Sequence, residues 1–272
     1  MRRASVAEPR DSPAPDPTKR FSDRVADYVR YRPGYPEALL RALRGEAGLG
    51  PRSRVADVGS GTGISTELLL RSGAEVWAVE PNEEMRRAAE ERLGGEPRFH
   101  SVDGTAESTT IPEASVDLVA AGQAFHWFDR ERARAEFLRI LAPPPRLGRL
   151  ALFWNSRRTE STPFLRDYEA LLRRFGTDYD RIDHTNLGPE DFEAFFAGPY
   201  QSHRFENHQV FDFEGLRGRL LSSSYTPAPG HPDHEPMLTA LRDLFDRHQQ
   251  NGQVRFEYDT DLHLGPLSPR PG

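Results

Sequence analysis

The stretch that decides the fold is "VADVGSGTGIST", Val55 to Thr66. Val55 to Val58 read as a short apolar strand, Gly59 to Gly63 as a turn, and a helical pattern starts near Ile64. Three glycines at alternate positions exceed what a tight turn needs. Glycine permits positive φ and lets another molecule lie against the backbone. A helix starting here also points its positive end at whatever anionic group approaches. The loop is therefore expected to present bare amides to a ligand.

Outward from this loop the pattern repeats. "EVWAVE" is a second strand, ending at Glu80, Pro81 and Asn82, and "EEMRRAAEERLGG" is a helix stopped by glycine. "PRFHSVDGTAE" holds a third strand and its loop, with a short helix expected to follow. "SVDLVAAGQ" is a fourth strand, "DRERARAEFLRIL" a helix, and "GRLALFWNS" a fifth strand beyond the loop at Pro143 to Pro145. Such alternation predicts a parallel sheet with helices on both faces. Right-handed crossovers place the strand C-terminal ends on one edge, where ligands bind.

After Arg158 the rhythm changes. "PFLRDYEALLRRFG" is helical, "YQSHRFENHQVF" a strand, "FEGLRGRLLSSS" and "PMLTALRDLFDRHQQ" two helices, and "QVRFEYDTDLHLG" a final alternating strand. This order predicts an antiparallel end to the sheet and a helical lid. Upstream, "FSDRVADYVRYRPGYPEALLRALRGEAGL" reads as helix on both sides of Pro33-Gly34. The organisation expected is a disordered tail over residues 1–20, a core with its cap helices over 21–160, and the sheet's completion plus lid over 161–265.

Composition narrows the chemistry. The 272 residues contain no cysteine, which excludes disulfides, thiolate nucleophiles and cysteine-ligated zinc. A net charge of -6 opposes nucleic-acid binding through global basicity. No apolar run approaches the ~18 residues of a membrane span, and the early arginines precede no apolar stretch, so the expected setting is cytoplasmic. "HPDH", His231 to His234, offers metal-like residue types without further ligands and reads as a surface loop.

Two ligand classes suit the glycine loop: dinucleotides and S-adenosylmethionine. A dinucleotide fingerprint needs G-x-G-x-x-G, but Ile64 stands where its third glycine belongs. NAD is disfavoured. Glu80 ends the next strand about twenty residues on, where a carboxylate can accept both hydroxyls of a ribose.

Together with "VWAVEPNEEM" and "VDGTAESTTIPEASVDLVAAGQAFHWF", these elements resemble a class I SAM-dependent methyltransferase of the methyltransferase type 11 arrangement, over roughly Phe21 to Asn155. "YRPGYP" and "GQAFHW" bring the resemblance nearest to the branch that includes trans-aconitate methyltransferase-like enzymes. It implies an α/β fold: a Rossmann-like seven-stranded sheet in an αβα sandwich, with an antiparallel last strand and a helical lid. It also implies that Asp57, Gly59, Gly61 and Gly63 face the cofactor's methionine end, and that Glu80 grips the ribose with Pro81 and Asn82 beside the adenine. Thr105 and Ala106 fall where the family has Asp-Ala; this threonine is a departure, and Asp103 is a weaker substitute. Gln123 would line the cleft near the sulfonium, while Tyr28, Tyr31 and Arg32 would close over the cofactor.

The expected activity is methyl transfer to a small-molecule acceptor through O, N or a carboxylate, without nucleic-acid or membrane partners and without a metal. The alternatives are a non-catalytic SAM-binding or interaction protein and an NAD-dependent oxidoreductase. His126, just past the fourth strand, is the candidate general base; a structural histidine is the competing reading. Trp127 and Phe125 are candidates for cation–π contact with the sulfonium, against ordinary core packing. Trp154 and Tyr225 are candidate substrate-wall residues.

Overall fold

The structure, a computed structural model, describes residues 30–143, 148–177, 179, 187–223 and 225–267. The tail expected over residues 1–20 and the candidate Tyr28 lie outside the described residues. Along the chain, α1 (Glu37–Glu46) leads into β1 (Arg54–Val58), α2 (Ile64–Leu70), β2 (Glu75–Val79), α3 (Glu83–Leu93), β3 (Phe99–Val102) and β4 (Leu118–Gly122). A 3-10 turn over Phe125–Trp127 precedes α4 (Arg130–Ile140) and β5 (Arg149–Arg157). The remainder is α5 (Pro163–Phe175), α6 (Pro189–Phe196), β6 (Gln201–Phe211), α7 (Phe213–Leu221), α8 (His234–His248) and β7 (Val254–Pro266).

The seven strands form one sheet in the order β3-β2-β1-β4-β5-β7-β6. β1 pairs in parallel with β2 and β4, and β5 runs parallel beside β4. β7 returns antiparallel to β5, with Arg157 opposite Tyr258, and β6 pairs antiparallel with β7 at the edge. β1 and β4 lie in the middle of the sheet and are almost continuously buried, β4 with apolar residues throughout and β1 with Asp57 as a buried carboxyl. The edge strand β6 alternates exposed polar residues with half-buried ones, which discourages pairing with another chain.

Three apolar clusters hold the sheet. Leu39, Leu40 and Leu43 of α1 pack with β1, β2, β5 and β7 on one face. Phe125, Phe137 and Ile140 pack on the other with Phe192, Phe195 and Phe196 of α6. Under the lid, Leu165, Tyr168 and Leu172 of α5 recur at helical spacing and meet Leu241 of α8, Leu220 of α7 and Phe256 of β7. Side chains start several helices: Asn82 caps α3, Thr162 caps α5 ahead of Pro163, and Asp212 caps α7.

One expected element is absent among the described residues: no helix follows β3. Glu136 of α4 accepts both the backbone N–H and the hydroxyl of Thr109, which ties this segment down as a loop. Burial pushes the Glu136 carboxyl up, but its bonds to Arg139 and Thr109 outweigh that and hold it at about 2.

The segment before α1 straps the core to the lid. The Gly34 carbonyl accepts from Asn155 Nδ2 at 3.1 Å and Asn207 Nδ2 at 2.8 Å. The Tyr31 carbonyl accepts from Gln209 Nε2 at 3.2 Å, and the Tyr31 ring packs against Gly218 of α7, where a Cβ would collide with it. Tyr31 thus turns into the lid instead of covering the cleft.

Candidate functional site

A cleft of about 1360 Å³ follows the C-terminal ends of β1, β2, β4 and β5 and continues beneath the lid. Its walls contain most of the residues singled out from the sequence: Arg32, Gly59, Gly61, Glu80, Pro81, Asn82, Thr105, Ala106 and Gln123, together with His126, Trp127, Trp154 and Tyr225. Asp57, Gly63 and Phe125 are not part of it.

The glycine loop works differently from the expectation of bare amides. Gly59 N–H and Ser60 N–H both donate to the Val79 carbonyl, at 2.9 and 3.1 Å, and Gly63 N–H donates to the Ser60 carbonyl at 2.9 Å. Gly61 N–H donates to Glu80 Oε2 at 2.9 Å. The glycines are required by conformation, with φ of 70°, 55° and 82° at Gly59, Gly61 and Gly63. A Cβ on Gly59 would lie 2.5 Å from Ala124 Cβ, and one on Gly63 would lie 2.8 Å from Leu93 Cδ1. Two of the three therefore sit under neighbouring side chains. Gly61 alone of the three opens outward, its nearest neighbour being Met85 Sδ at 3.8 Å.

Asp57 is fully buried at the end of β1, behind the cleft wall. Ser65 and Thr66, in the first turn of α2, donate to its Oδ2 at 2.8 and 2.6 Å. Burial is the main reason its pKa rises to about 6; the two hydroxyls oppose the rise and Glu80's charge adds to it. It fastens α2 to the sheet, while its Oδ1 has no hydrogen-bond partner among the described residues.

Glu80 leaves β2 with both oxygens engaged, Oε1 accepting from Asn82 N–H at 2.9 Å and Oε2 from Gly61 N–H. Burial raises its pKa, countered by those two amides and Arg86. Asn82 spends its side-chain oxygen on Met85 N–H as the α3 cap. Gln123 has φ of 60° and donates to the Asn155 carbonyl at 3.0 Å, so it carries backbone strain while joining the ends of β4 and β5. Asp103 accepts from Arg86 at 3.3 Å and is not in the cleft wall. Phe125 is completely buried among Phe128, Phe192 and Phe195, a core residue. Trp127 is 39% exposed at the cleft mouth. Trp154 forms buried wall, and its Nε1 has no partner among the described residues. His234 of the "HPDH" loop is buried, with Nδ1 2.8 Å from the Pro227 carbonyl.

Comparison with known proteins decides the family. An uncharacterized methyltransferase of Mycobacterium tuberculosis (strain ATCC 25618 / H37Rv) is 32% identical over 228 residues, 84% of this chain and 86% of its own. This chain belongs to the SAM-dependent methyltransferases. The family model described as a methyltransferase domain matches residues 56–147. A methyltransferase of Schizosaccharomyces pombe, also uncharacterized, is 34% identical over 57% of this chain and 59% of its own. Among solved structures, a type II methyltransferase candidate from Anaeromyxobacter dehalogenans superposes with a TM-score of 0.61 at 25% identity, covering 88% of this chain and all of that one. The NAD-dependent alternative falls with this assignment.

The residues present fit the methyltransferase cofactor. Each carboxylate oxygen of Glu80 accepts one amide and retains capacity for a hydroxyl. Thr62 Oγ1, in the cleft wall, is buried without a partner among the described residues, and Gly61 leaves the loop open beside it. S-adenosylmethionine supplies an already activated methyl group on a sulfonium; the protein's part is to hold, orient and desolvate. No helix among the described residues is long and apolar enough to cross a membrane.

Sequence reading missed several residues of the wall: Arg157, Glu169, Tyr179, Arg219 and Tyr258. Arg219 had a legible signal. It lies one helical turn after Leu216 and next to Leu220, on the buried side of α7.

Proposed function

We propose that this methyltransferase acts on a small molecule, which enters the cleft beside the cofactor. The observation that carries the reading is the cleft's size. At about 1360 Å³ it exceeds the roughly 300–1,000 Å³ usual for one small ligand, leaving room for cofactor and acceptor together. The lid supports the same reading, since Glu169 and Arg173 of α5 and Arg219 of α7 line the same cleft as Glu80. The net charge of -6 opposes a polyanionic acceptor.

In this reading Glu80 holds the ribose, Pro81, Asn82, Thr105 and Ala106 frame the adenine, and Gly59, Gly61 and Gln123 border the amino-acid end with Arg32. Asp57 and Gly63 support the loop from behind. His126, on the 3-10 turn after β4, takes the acceptor's proton; Trp127, Trp154 and Tyr225 shape the acceptor space. Alignment of the nucleophile supplies most of the rate, and the base adds a smaller factor.

The test is label transfer. The enzyme is incubated with tritiated-methyl S-adenosylmethionine and, separately, a low-molecular-mass extract, a protein fraction and a nucleic-acid fraction. Label in the small-molecule fraction is expected. Label confined to protein or nucleic acid contradicts the reading.

A further inference from the structure

The lid end of the cleft holds two arginines that the glycine loop and Glu80 do not explain. Arg219 of α7 is only 6% exposed. Its Nε points to Tyr258 Oη at 3.4 Å and its Nη1 to Ser223 Oγ at 3.2 Å. Tyr258 in turn donates to Gln209 Oε1 at 2.9 Å, so its oxygen is left to accept from the guanidinium. Among the described residues no carboxylate pairs with Arg219. Arg157, at the end of β5 opposite Tyr258, gives its Nη2 to Glu169 at 2.5 Å and to Tyr179 Oη at 3.0 Å. Its Nη1 is buried and has no hydrogen-bond partner among the described residues.

Burying a guanidinium is costly unless its donors are satisfied and its charge is matched. Here Arg157 shares Glu169 with Arg173, which bonds it at 3.1 Å, and Arg219 has only the neutral oxygens of Tyr258 and Ser223. The imbalance lies inside the cleft wall, not on the surface, so solvent does little to screen it. What the arrangement lacks is an anion with two or more acceptor oxygens. A carboxylate or a phosphate meets that need, since guanidinium donors match the oxygens of either.

We infer that Arg157 and Arg219 form an oxyanion subsite that recognises the methyl acceptor by a carboxylate or phosphate group. This rests on the methyltransferase reading of the same cleft and names the class of acceptor it takes. The anionic group is the handle and not the nucleophile, because oxygens held by two guanidiniums give up the electron density an attacking atom needs. The atom that receives the methyl group lies elsewhere on the acceptor, toward His126. Neutral analogues lacking the anionic group are then poor substrates, because they leave both arginines unmatched.

Calorimetric titration of the full chain with inorganic phosphate and with succinate tests this. S-adenosylhomocysteine saturates the cofactor site throughout, and ionic strength is held constant with chloride. Binding of at least one anion is expected. Phosphate alone points to a phosphate-bearing acceptor, succinate alone to a carboxylate, and both to a general oxyanion pocket. Arg219→Met and Arg157→Met should each weaken that binding roughly tenfold or more with the S-adenosylhomocysteine affinity kept, and Arg219→Lys should restore part of it. If Arg219→Met does not fold, Arg157→Met carries the comparison. Wild-type protein that binds S-adenosylhomocysteine but neither anion overturns the subsite, as do variants that bind the anion as tightly as wild type. Failure to bind S-adenosylhomocysteine strikes the underlying reading instead.

Discussion

Gly61 donates its backbone N–H to Glu80 Oε2 across 2.9 Å, joining the loop after β1 to the end of β2. The contact places the Glu80 carboxylate, to which we assign the ribose, and the outward-facing Gly61 at the same point of the cleft. Replacing Glu80 removes the acceptor of two amides as well as the proposed ribose contact. Glu80→Ala should weaken cofactor binding roughly tenfold or more, read by calorimetry. Glu80→Gln, which keeps one good acceptor oxygen, should lose less. Wild-type affinity in Glu80→Ala would remove the assignment.

The three loop glycines should respond differently to alanine. At Gly63 a Cβ meets Leu93 and Ala89 at 2.8 and 3.3 Å in addition to the strain of positive φ. Gly63→Ala should therefore lose about 2 kcal/mol or more of stability. Gly61→Ala meets only Met85 Sδ at 3.8 Å and should lose about 1 kcal/mol, yet bind cofactor less tightly. Thermal unfolding paired with titration separates the two. Equal melting temperatures for both variants would contradict the packing described.

Asp57 sets a pH dependence. Its pKa stands at about 6 in the folded protein against an ordinary 3.8, so the folded state holds the proton more tightly. That stability is complete below pH 3.8 and is lost as the pH rises through about 6. A difference of about two pH units corresponds to about 3 kcal/mol. Asp57→Asn still accepts from Ser65 and Thr66 but carries no charge. Its denaturation free energy, relative to wild type, should therefore gain about that amount between pH 4 and pH 7. Parallel curves for the two proteins would show that the carboxyl is not held protonated by burial.

His126 should act on turnover and leave cofactor binding alone. His126→Gln is expected to lower kcat about a hundredfold, in the range of general base catalysis. Unchanged kcat would leave the histidine a structural part of the 3-10 turn.

The fold was legible because each strand and helix announces itself locally. That Gly59, Gly61 and Glu80 come together in one cleft wall was legible because their spacing lies within one strand-helix-strand unit. What failed depended on distant partners. The amides of Gly59, Gly61 and Gly63 looked available, but Val79, Glu80 and Ser60 take them up. Phe125 stood open between a cofactor contact and core packing, and α6, from far along the chain, buries it in the core. The helix expected after β3 gives way to a loop because Glu136, 27 residues later, binds Thr109. Arg157 and Arg219 lie in separate elements, brought into one wall by the return of β7 beside β5.

The most direct test of the central claim is a crystal structure of the chain with S-adenosylhomocysteine. The ribose hydroxyls should lie on the Glu80 carboxylate, with the adenosyl group passing over Gly61. A ligand seated elsewhere in the cleft, with Glu80 still bonded only to Gly61 and Asn82, would contradict the account.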